Sequence, residues 1–189
     1  MIQIIYKSKK LSFISDTHGN HRELNIPQTD FLIYCGDACT DGNEEELNDF
    51  FKWFAEQKAT YKIFVAGNHD LIFDLEPHEA TLLVPKNIIY LENNYIITEG
   101  ISFYSVSARP WLHEYPLEKR NIDFLITHGP AYSVLDLKLG CRTLIKFVEQ
   151  QKPVYHIFGH IHETAGLKKA IGNTHFINVI APSNSLKNE

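Results

Sequence analysis

Five times in this chain a short apolar run ends directly on Asp, Asn or His. Residues 11–15 lead into Asp16-Thr17-His18, residues 31–35 into Gly36-Asp37, and residues 61–65 into Ala66-Gly67-Asn68-His69-Asp70. Residues 122–126 lead into Thr127-His128-Gly129, and residues 154–158 into Gly159-His160-Ile161-His162. Runs of this length are strands, far short of the ~20 residues of a membrane span. Phe31-Leu32-Ile33-Tyr34-Cys35 is apolar without alternation, as in a strand covered on both faces. The chain must therefore build a sheet with layers on either side. After the second run Glu44-Glu45-Glu46 opens a helix, where acidic side chains suit the N-terminal dipole. Leu47, Phe50, Phe51 and Phe54 then recur at helical spacing and make an apolar stripe. Strand, helix and strand in succession form a parallel crossover, so the expected class is α/β.

The remaining segments fill in that frame. Residues 2–6 and 11–15 flank the polar turn Lys7-Ser8-Lys9-Lys10 and predict an opening hairpin. Residues 71–79 read as a short helix or loop around Pro77. Residues 87–91, 95–97 and 101–106 read as short strands separated by the turn pairs Asn93-Asn94 and Glu99-Gly100, a hairpin-rich section. Residues 112–120 form a polar connection and 131–140 a loop. Residues 141–150 have helical periodicity through Leu144, Ile145 and Val148, stopped by Pro153. Residues 163–169 read as polar loop, 175–180 as a last strand and 186–189 as a loose tail. With no repeat or linker, a single domain over residues 1–189 is expected.

Charge and cysteine content narrow the function classes. A formal net charge of -5 argues against a broad nucleic-acid or membrane footprint. No extended basic, aromatic-rich stretch is present, so nucleic acid is not the expected partner. Met1-Ile2-Gln3 runs straight into a strand without a secretory leader. Cys35, Cys39 and Cys141 cannot close a disulfide set, so buried thiols in a cytoplasmic protein are expected.

Histidine carries the chemistry. The chain has 10, and five of them (His18, His69, His128, His160, His162) sit in the strand-tip stretches, whereas His21, His78, His113, His156 and His175 do not. Each stretch alone reads as a plain strand-to-loop turn; five at strand tips read together as one cleft. Asp16, His18, Asp37, Asn68, His128, His160 and His162 supply nitrogen and oxygen ligands for two divalent cations, with Mn the first choice and Fe, Zn and Mg the alternatives. Two dications, two aspartates and one hydroxide leave such a site net positive, which suits a small anionic phosphate ester as substrate.

The order D-x-H, G-D, G-N-H-D, H-G, G-H-x-H across residues 16–162 resembles the calcineurin-like metallophosphoesterase superfamily. The stretches 63–69, 125–130 and 156–163 are most similar to its small metallophosphoesterase-domain-containing members. Some of those lack the first histidine of the last motif, present here as His160. The resemblance implies a four-layer αββα sandwich of two mixed β-sheets flanked by helices, the metallo-dependent phosphatase fold. It implies that Asp16, His18 and His162 bind one ion, that Asn68, His128 and His160 bind the other, and that Asp37 bridges them. A hydroxide between the ions would attack phosphorus while His69 protonates the leaving oxygen. Arg109 is a candidate phosphate contact. The implied activity is phosphodiester hydrolysis of a nucleotide-like, cyclic-nucleotide-like or aryl substrate, with a phosphomonoesterase as the near alternative. A non-catalytic scaffold, as in one retromer subunit of this fold, is the alternative of another class. Oligomeric state is not legible in the sequence.

Overall fold

Side chains of the strands alternate between two destinations, and this alternation builds four layers. The computed structural model describes residues 1–180, so the tail expected at 186–189 lies outside the described residues. The first sheet holds β1 (Ile2–Tyr6), β2 (Lys9–Ile14), β3 (Thr29–Cys35), β4 (Ala59–Val65) and β5 (Ile89–Tyr90), side by side in that order. Only β1 is antiparallel to its neighbour. The second sheet uses β6 (Asn94–Thr98), β7 (Ile101–Ser105), β8 (Phe124–Ile126), β9 (Tyr155–Phe158), β10 (Lys168–Ile171) and β11 (Thr174–Asn178), in the order β10-β11-β9-β8-β7-β6. Hairpins close its two edges, and β11, β9, β8 and β7 run parallel between them. Both sheets are mixed.

Phe13, Phe31, Ile33, Ile63 and Val65 point from the first sheet toward Phe103, Phe124, Ile126 and Ile157 of the second, forming the central core. The alternate residues Leu32, Tyr34 and Phe64 face outward onto helix α1 (Glu44–Glu56) through Leu47, Phe50, Phe51 and Phe54. The stripe read from the sequence is the buried face of that helix. Two short helices, α2 (Ile72–Leu75) and α3 (Pro77–Leu83), extend this outer layer with Phe73 and Ala80. On the far side Tyr104, Leu125, Phe158 and Phe176 meet helix α4 (Arg142–Gln151) through Leu144, Phe147 and Val148.

Three expectations change. Residues 87–91 give only the two-residue β5, which pairs in parallel with β4 in the first sheet rather than joining the hairpin section. The second half is not mainly hairpins, because its central pairings are parallel. β10 begins at Lys168, inside the stretch 163–169 read as polar loop, and its side chains are all exposed, so no buried alternation marks it in the sequence. All three cysteines are buried and free. No helix among the described residues is long and apolar enough to cross a membrane.

His156 belongs to the outer layer and not to the cleft. Its Nε2 donates to Thr127 Oγ1 at 2.9 Å, since that hydroxyl's proton goes to the Gly129 carbonyl at 2.7 Å. Burial pushes its pKa down to about 3. From pH 6.5 downward the unfolded chain takes up this proton while the folded chain does not, so stability falls as pH falls. Going from pH 7 to pH 5, urea unfolding of the wild type is expected to lose about 2 kcal/mol more than that of His156→Gln. Equal losses in the two proteins contradict this.

Candidate metal centre

All five motif stretches leave the C-terminal ends of parallel strands: β2, β3, β4, β8 and β9. In open α/β sheets that edge is where ligands bind. Backbone contacts stitch the stretches together. The Asp16 amide donates to Gly36 O at 2.9 Å and the His18 amide to Asp37 O at 3.2 Å. The His69 amide donates to Asp37 Oδ1 at 2.8 Å and the His160 amide to Asp16 Oδ1 at 3.1 Å. Close approach demands glycine at two points: a Cβ on Gly67 would lie 2.2 Å from Asp37 Oδ1, and one on Gly159 would lie 2.1 Å from Asp16 Oδ2. Asp16, His18, Asp37 and His160 all have positive φ, at 56°, 42°, 58° and 69°. Asp and His tolerate this region better than most residues, and such backbone strain clusters at functional sites.

Three overlapping groups of side chains converge. Asp16, His18 and His162 form one, His18, Asp37 and His69 a second, and Asp37, His128 and His160 a third, with ligand-type atoms in each within 4.8 Å of one another. Asp37 and His18 each belong to two groups. Asp37 Oδ2 lies 3.2 Å from His128 Nε2 and 3.8 Å from His18 Nε2, while Asp16 Oδ1 lies 3.7 Å from His162 Nε2. Asp16, Asp37 and His128 are buried, whereas the His162 side chain is 58% exposed, so the cleft opens on the side of His162 and His69.

Backbone carbonyls set the histidine tautomers. His128 Nδ1 lies 3.0 Å from Cys35 O, His18 Nδ1 3.2 Å from Cys39 O, and His69 Nδ1 2.7 Å from Thr40 O. A carbonyl only accepts, so each Nδ1 carries a proton, and in the neutral ring each Nε2 has its lone pair for the cleft. That arrangement is the usual support of a metal-binding imidazole. Thr40 is itself held by α1: the Glu46 carboxylate accepts from the amides of Thr40, Asp41 and Gly42, while Asn43 caps Glu46.

Electrostatics favour a cation here. Burial raises the Asp37 carboxyl, but the His128 charge, the His69 amide and His18 outweigh it and hold it at about 2. Burial lowers His128, and the Asp37 and Asp16 carboxylates overcome that and lift it to about 9. A site that draws a proton onto a fully buried imidazole is one in which positive charge is favourable. His160 is pushed down to about 4, by burial first and by the His128 charge second, and is neutral at pH 7. Among the buried side-chain atoms without hydrogen-bond partners are two of the expected ligand atoms: Asn68 Oδ1 and His128 Nε2, whose approach to Asp37 is not aligned as a hydrogen bond. Orphaned buried polar atoms are costly unless something is coordinated there. On charge, tautomer and unpartnered atoms the residues fit divalent cations.

The comparisons decide the family. Residues 9–164 match the profile of the calcineurin-like phosphoesterases. The chain belongs to the calcineurin-like phosphoesterase family. It is 33% identical to a UPF0046 protein of Caenorhabditis elegans over 89% of this chain and 68% of that one. It is 31% identical to human metallophosphoesterase domain-containing protein 1 over 87% of this chain and 64% of that one. The chain thus spans about two thirds of the length of these relatives. Among solved structures, the phosphopantetheinyl hydrolase of Mycobacterium tuberculosis superposes with a TM-score of 0.63 at 14% identity, covering 91% of this chain and 89% of that one. The calcineurin-like family uses a dinuclear divalent metal centre, and family and fold together support a metal-dependent phosphoesterase.

Asp16, His18, Asp37, His69, His128, His160 and His162 come together in the three converging groups, while Asn68 stands between Gly67 and His69 with its Oδ1 buried and unpartnered. Arg109 is engaged elsewhere: its guanidinium pairs with Asp74 and Glu92, so two carboxylates already match its charge. Asp70 was read only as the end of a motif. It is fully buried and accepts from four backbone amides, those of Asp37, Ala38, Cys39 and Gly67, at 2.8–3.0 Å. A carboxylate directly after His69, in a loop too tight to expose it, was the available signal. The carbonyls of Cys35, Cys39 and Thr40 leave no trace in residue type.

Proposed function

We propose that this chain is a phosphodiesterase with a dinuclear centre, for which Asp16, His18 and His162 would hold one ion, Asn68, His128 and His160 would hold the other, and Asp37 would be shared between them. The observation that carries the reading is the sharing of buried Asp37 between ligand groups on either side, beside the unpartnered Asn68 Oδ1 and His128 Nε2. Four imidazoles and an amide oxygen suit Mn, Fe or Zn better than Mg, with Mn placed first. When bound, such ions supply Lewis acidity toward phosphoryl oxygens and acidify water.

The protein's own groups do the rest. Asp37, held at about 2, keeps its negative charge at the floor of the cleft, beside Asp16, whose carboxyl is pushed up by burial. The carbonyls of Cys35 and Cys39 hold the His128 and His18 rings in place, so little reorganisation is needed as charge develops. His69 is exposed at the mouth, its ring edge-on to His18 at 4.8 Å. With Nδ1–H donated to Thr40 O, Nε2 is the ring nitrogen left to carry a proton toward the substrate. From there a proton can pass to the leaving oxygen.

His69→Gln is expected to keep its metal and lose turnover by about 10²- to 10³-fold. The loss should be larger for an alkoxide leaving group than for nitrophenolate, which needs less protonation. Metal analysis beside kinetics checks this, and loss of an ion from the variant would make His69 a ligand instead. The function itself is tested on metal-stripped protein by comparing bis(4-nitrophenyl) phosphate with 4-nitrophenyl phosphate, with and without added Mn. Diester turnover that requires the metal supports the proposal. Faster monoester turnover moves it to phosphomonoesterase, and no turnover of either moves it to a binding scaffold.

A further inference from the structure

Several large apolar side chains stand exposed on the segments beyond the strand tips. Among the large apolar residues exposed to solvent are Leu71, Leu75, Trp111, Leu137 and Leu139. They lie on the segments that follow β4, β7 and β8, at the edge from which the five motif stretches emerge. These segments are joined. Arg109 pairs with Asp74, linking α2 to the segment after β7. The Pro110 backbone packs so closely on Gly129, beside His128, that a Cβ there would come within 2.7 Å of Pro110 O. The Leu112 amide donates to Cys141 Sγ at 3.2 Å. Thr164, in the turn that carries His162, donates its hydroxyl to Leu135 O at 2.8 Å. The chain 71–75, 109–112, 129–141 and 162–164 is therefore a continuous rim.

Scattered surface leucines are normal and need no explanation. The backbone under these is not normal. Ser133, Leu135, Leu137 and Lys138 have φ of 64°, 53°, 46° and 69° without a glycine among them. Leucine in this region is strained, and strain persists only where surroundings over-determine it. Here the surroundings do. Asp136 is 5% exposed, and its Oδ2 accepts from the amides of Ser133 and Gly140 at 2.8 and 3.0 Å. The Leu139 amide donates to Asp136 O at 2.7 Å. Val134 and Leu135 pack into the outer core beside α4, which fixes the base of the loop. These contacts tie down the loop backbone, with Leu137 and Leu139 left 56% and 55% exposed. Lys138 between them adds a positive charge suited to an anionic ester.

We propose that this rim receives an apolar aryl group of the substrate, with Trp111, Leu137 and Leu139 as its contacts, so that the centre selects phosphodiesters carrying a flat organic group over those carrying a small alkyl one. This rests on the phosphodiesterase reading above. The leucines on this tied-down backbone supply apolar surface whose backbone ordering cost was met on folding, which is what makes an exposed patch useful for binding. Trp111 adds an indole, the side chain with most to gain from a flat aromatic partner.

The test compares bis(4-nitrophenyl) phosphate with methyl 4-nitrophenyl phosphate, which share a leaving group and differ in the other ester. Trp111→Ala and the double variant Leu137→Ser/Leu139→Ser are each expected to lower the aryl-to-methyl ratio of kcat/KM about five- to tenfold, through KM more than kcat. An unchanged ratio overturns the proposal, whether both substrates slow together or neither does. Competition between phenylphosphonate and methylphosphonate for the Mn-loaded protein reads the same preference without turnover. A wild type that hydrolyses neither diester, yet prefers phenylphosphonate and loses that preference in the double variant, keeps the rim and overturns the phosphodiesterase reading. A wild type that hydrolyses both, with variants of unchanged ratio, overturns the rim alone. Wild-type binding to phosphatidylcholine vesicles that the double variant lacks, with the ratio unchanged, would make the rim a membrane contact instead.

Discussion

Asp37→Ala is expected to fold, to bind fewer than two equivalents of Mn, and to lose phosphoester turnover by about 10³-fold or more, roughly 4 kcal/mol of barrier. The fold stands because the Asp37 backbone is held by others: its amide donates to Asp70 Oδ2, and its carbonyl accepts from the Tyr34 hydroxyl and the His18 amide. The carboxylate itself accepts one backbone hydrogen bond, from the partly exposed His69 amide, which water can take over. Its removal also relieves repulsion, since the Asp37 charge helps raise both Asp16 and Asp70. Metal loss in a protein that melts normally would therefore report on ligation and not on unfolding. Among the described residues Asp37 is the carboxylate that lies within 4.0 Å of both His18 and His128, so each half of the centre loses negative charge without it. Metal analysis on gel-filtered protein, with circular dichroism alongside, checks the expectation. A variant carrying two ions per chain removes Asp37 from the shared position.

The strands that build the site were legible because burial on both faces leaves an uninterrupted apolar run, as in residues 31–35. The stripe of Leu47, Phe50, Phe51 and Phe54 was legible for the complementary reason, a helix buried on one face. The pairing of β5 with β4 was not, because two residues pair across the whole of α2 and α3 and no local pattern encodes a partner. At the site, residue type announced the side chains that meet, since Asp, Asn and His are ordinary at one strand tip but not at five strand tips in this order. It did not announce what holds them, because the tautomers rest on main-chain carbonyls. The strained loop 133–138 was equally silent. A positive φ is readable when glycine supplies it, but here tertiary contacts impose it on Ser, Leu and Lys. Arg109 misled for an electrostatic reason: an arginine near a cleft suggests an anion, yet its partners Asp74 and Glu92 lie 35 and 17 residues away in the chain.

Asp70→Asn is the second large effect, and it tests whether the centre is positioned by a side chain that never touches it. The Asp70 carboxylate is wholly buried, with Oδ2 accepting from Gly67 and Asp37 at 2.8 and 3.0 Å and Oδ1 accepting from Ala38 and Cys39 at 3.0 Å each. It thereby fastens the tip of β4 to the tip of β3 and fixes the backbone of Asp37 relative to Asn68. Asparagine matches its shape but keeps one acceptor oxygen, and its NH₂ then faces two amide donors. Two unsatisfied buried donors at about 1–3 kcal/mol each give an expected loss of about 2–6 kcal/mol. That corresponds to a melting temperature roughly 10 °C lower in a chain of this size. A purely structural role would end there, and Mn-saturated variant assayed well below its melting temperature would regain wild-type kcat. The positioning role predicts otherwise: Mn affinity falls about tenfold or more, and kcat stays low at saturating Mn because Asp37 and Asn68 no longer hold their relative place. Asp70→Glu should not rescue either property, since four amides closed around a buried carboxylate leave no room for another methylene. Full recovery of kcat in Asp70→Asn at high Mn would reduce Asp70 to a stabilising residue.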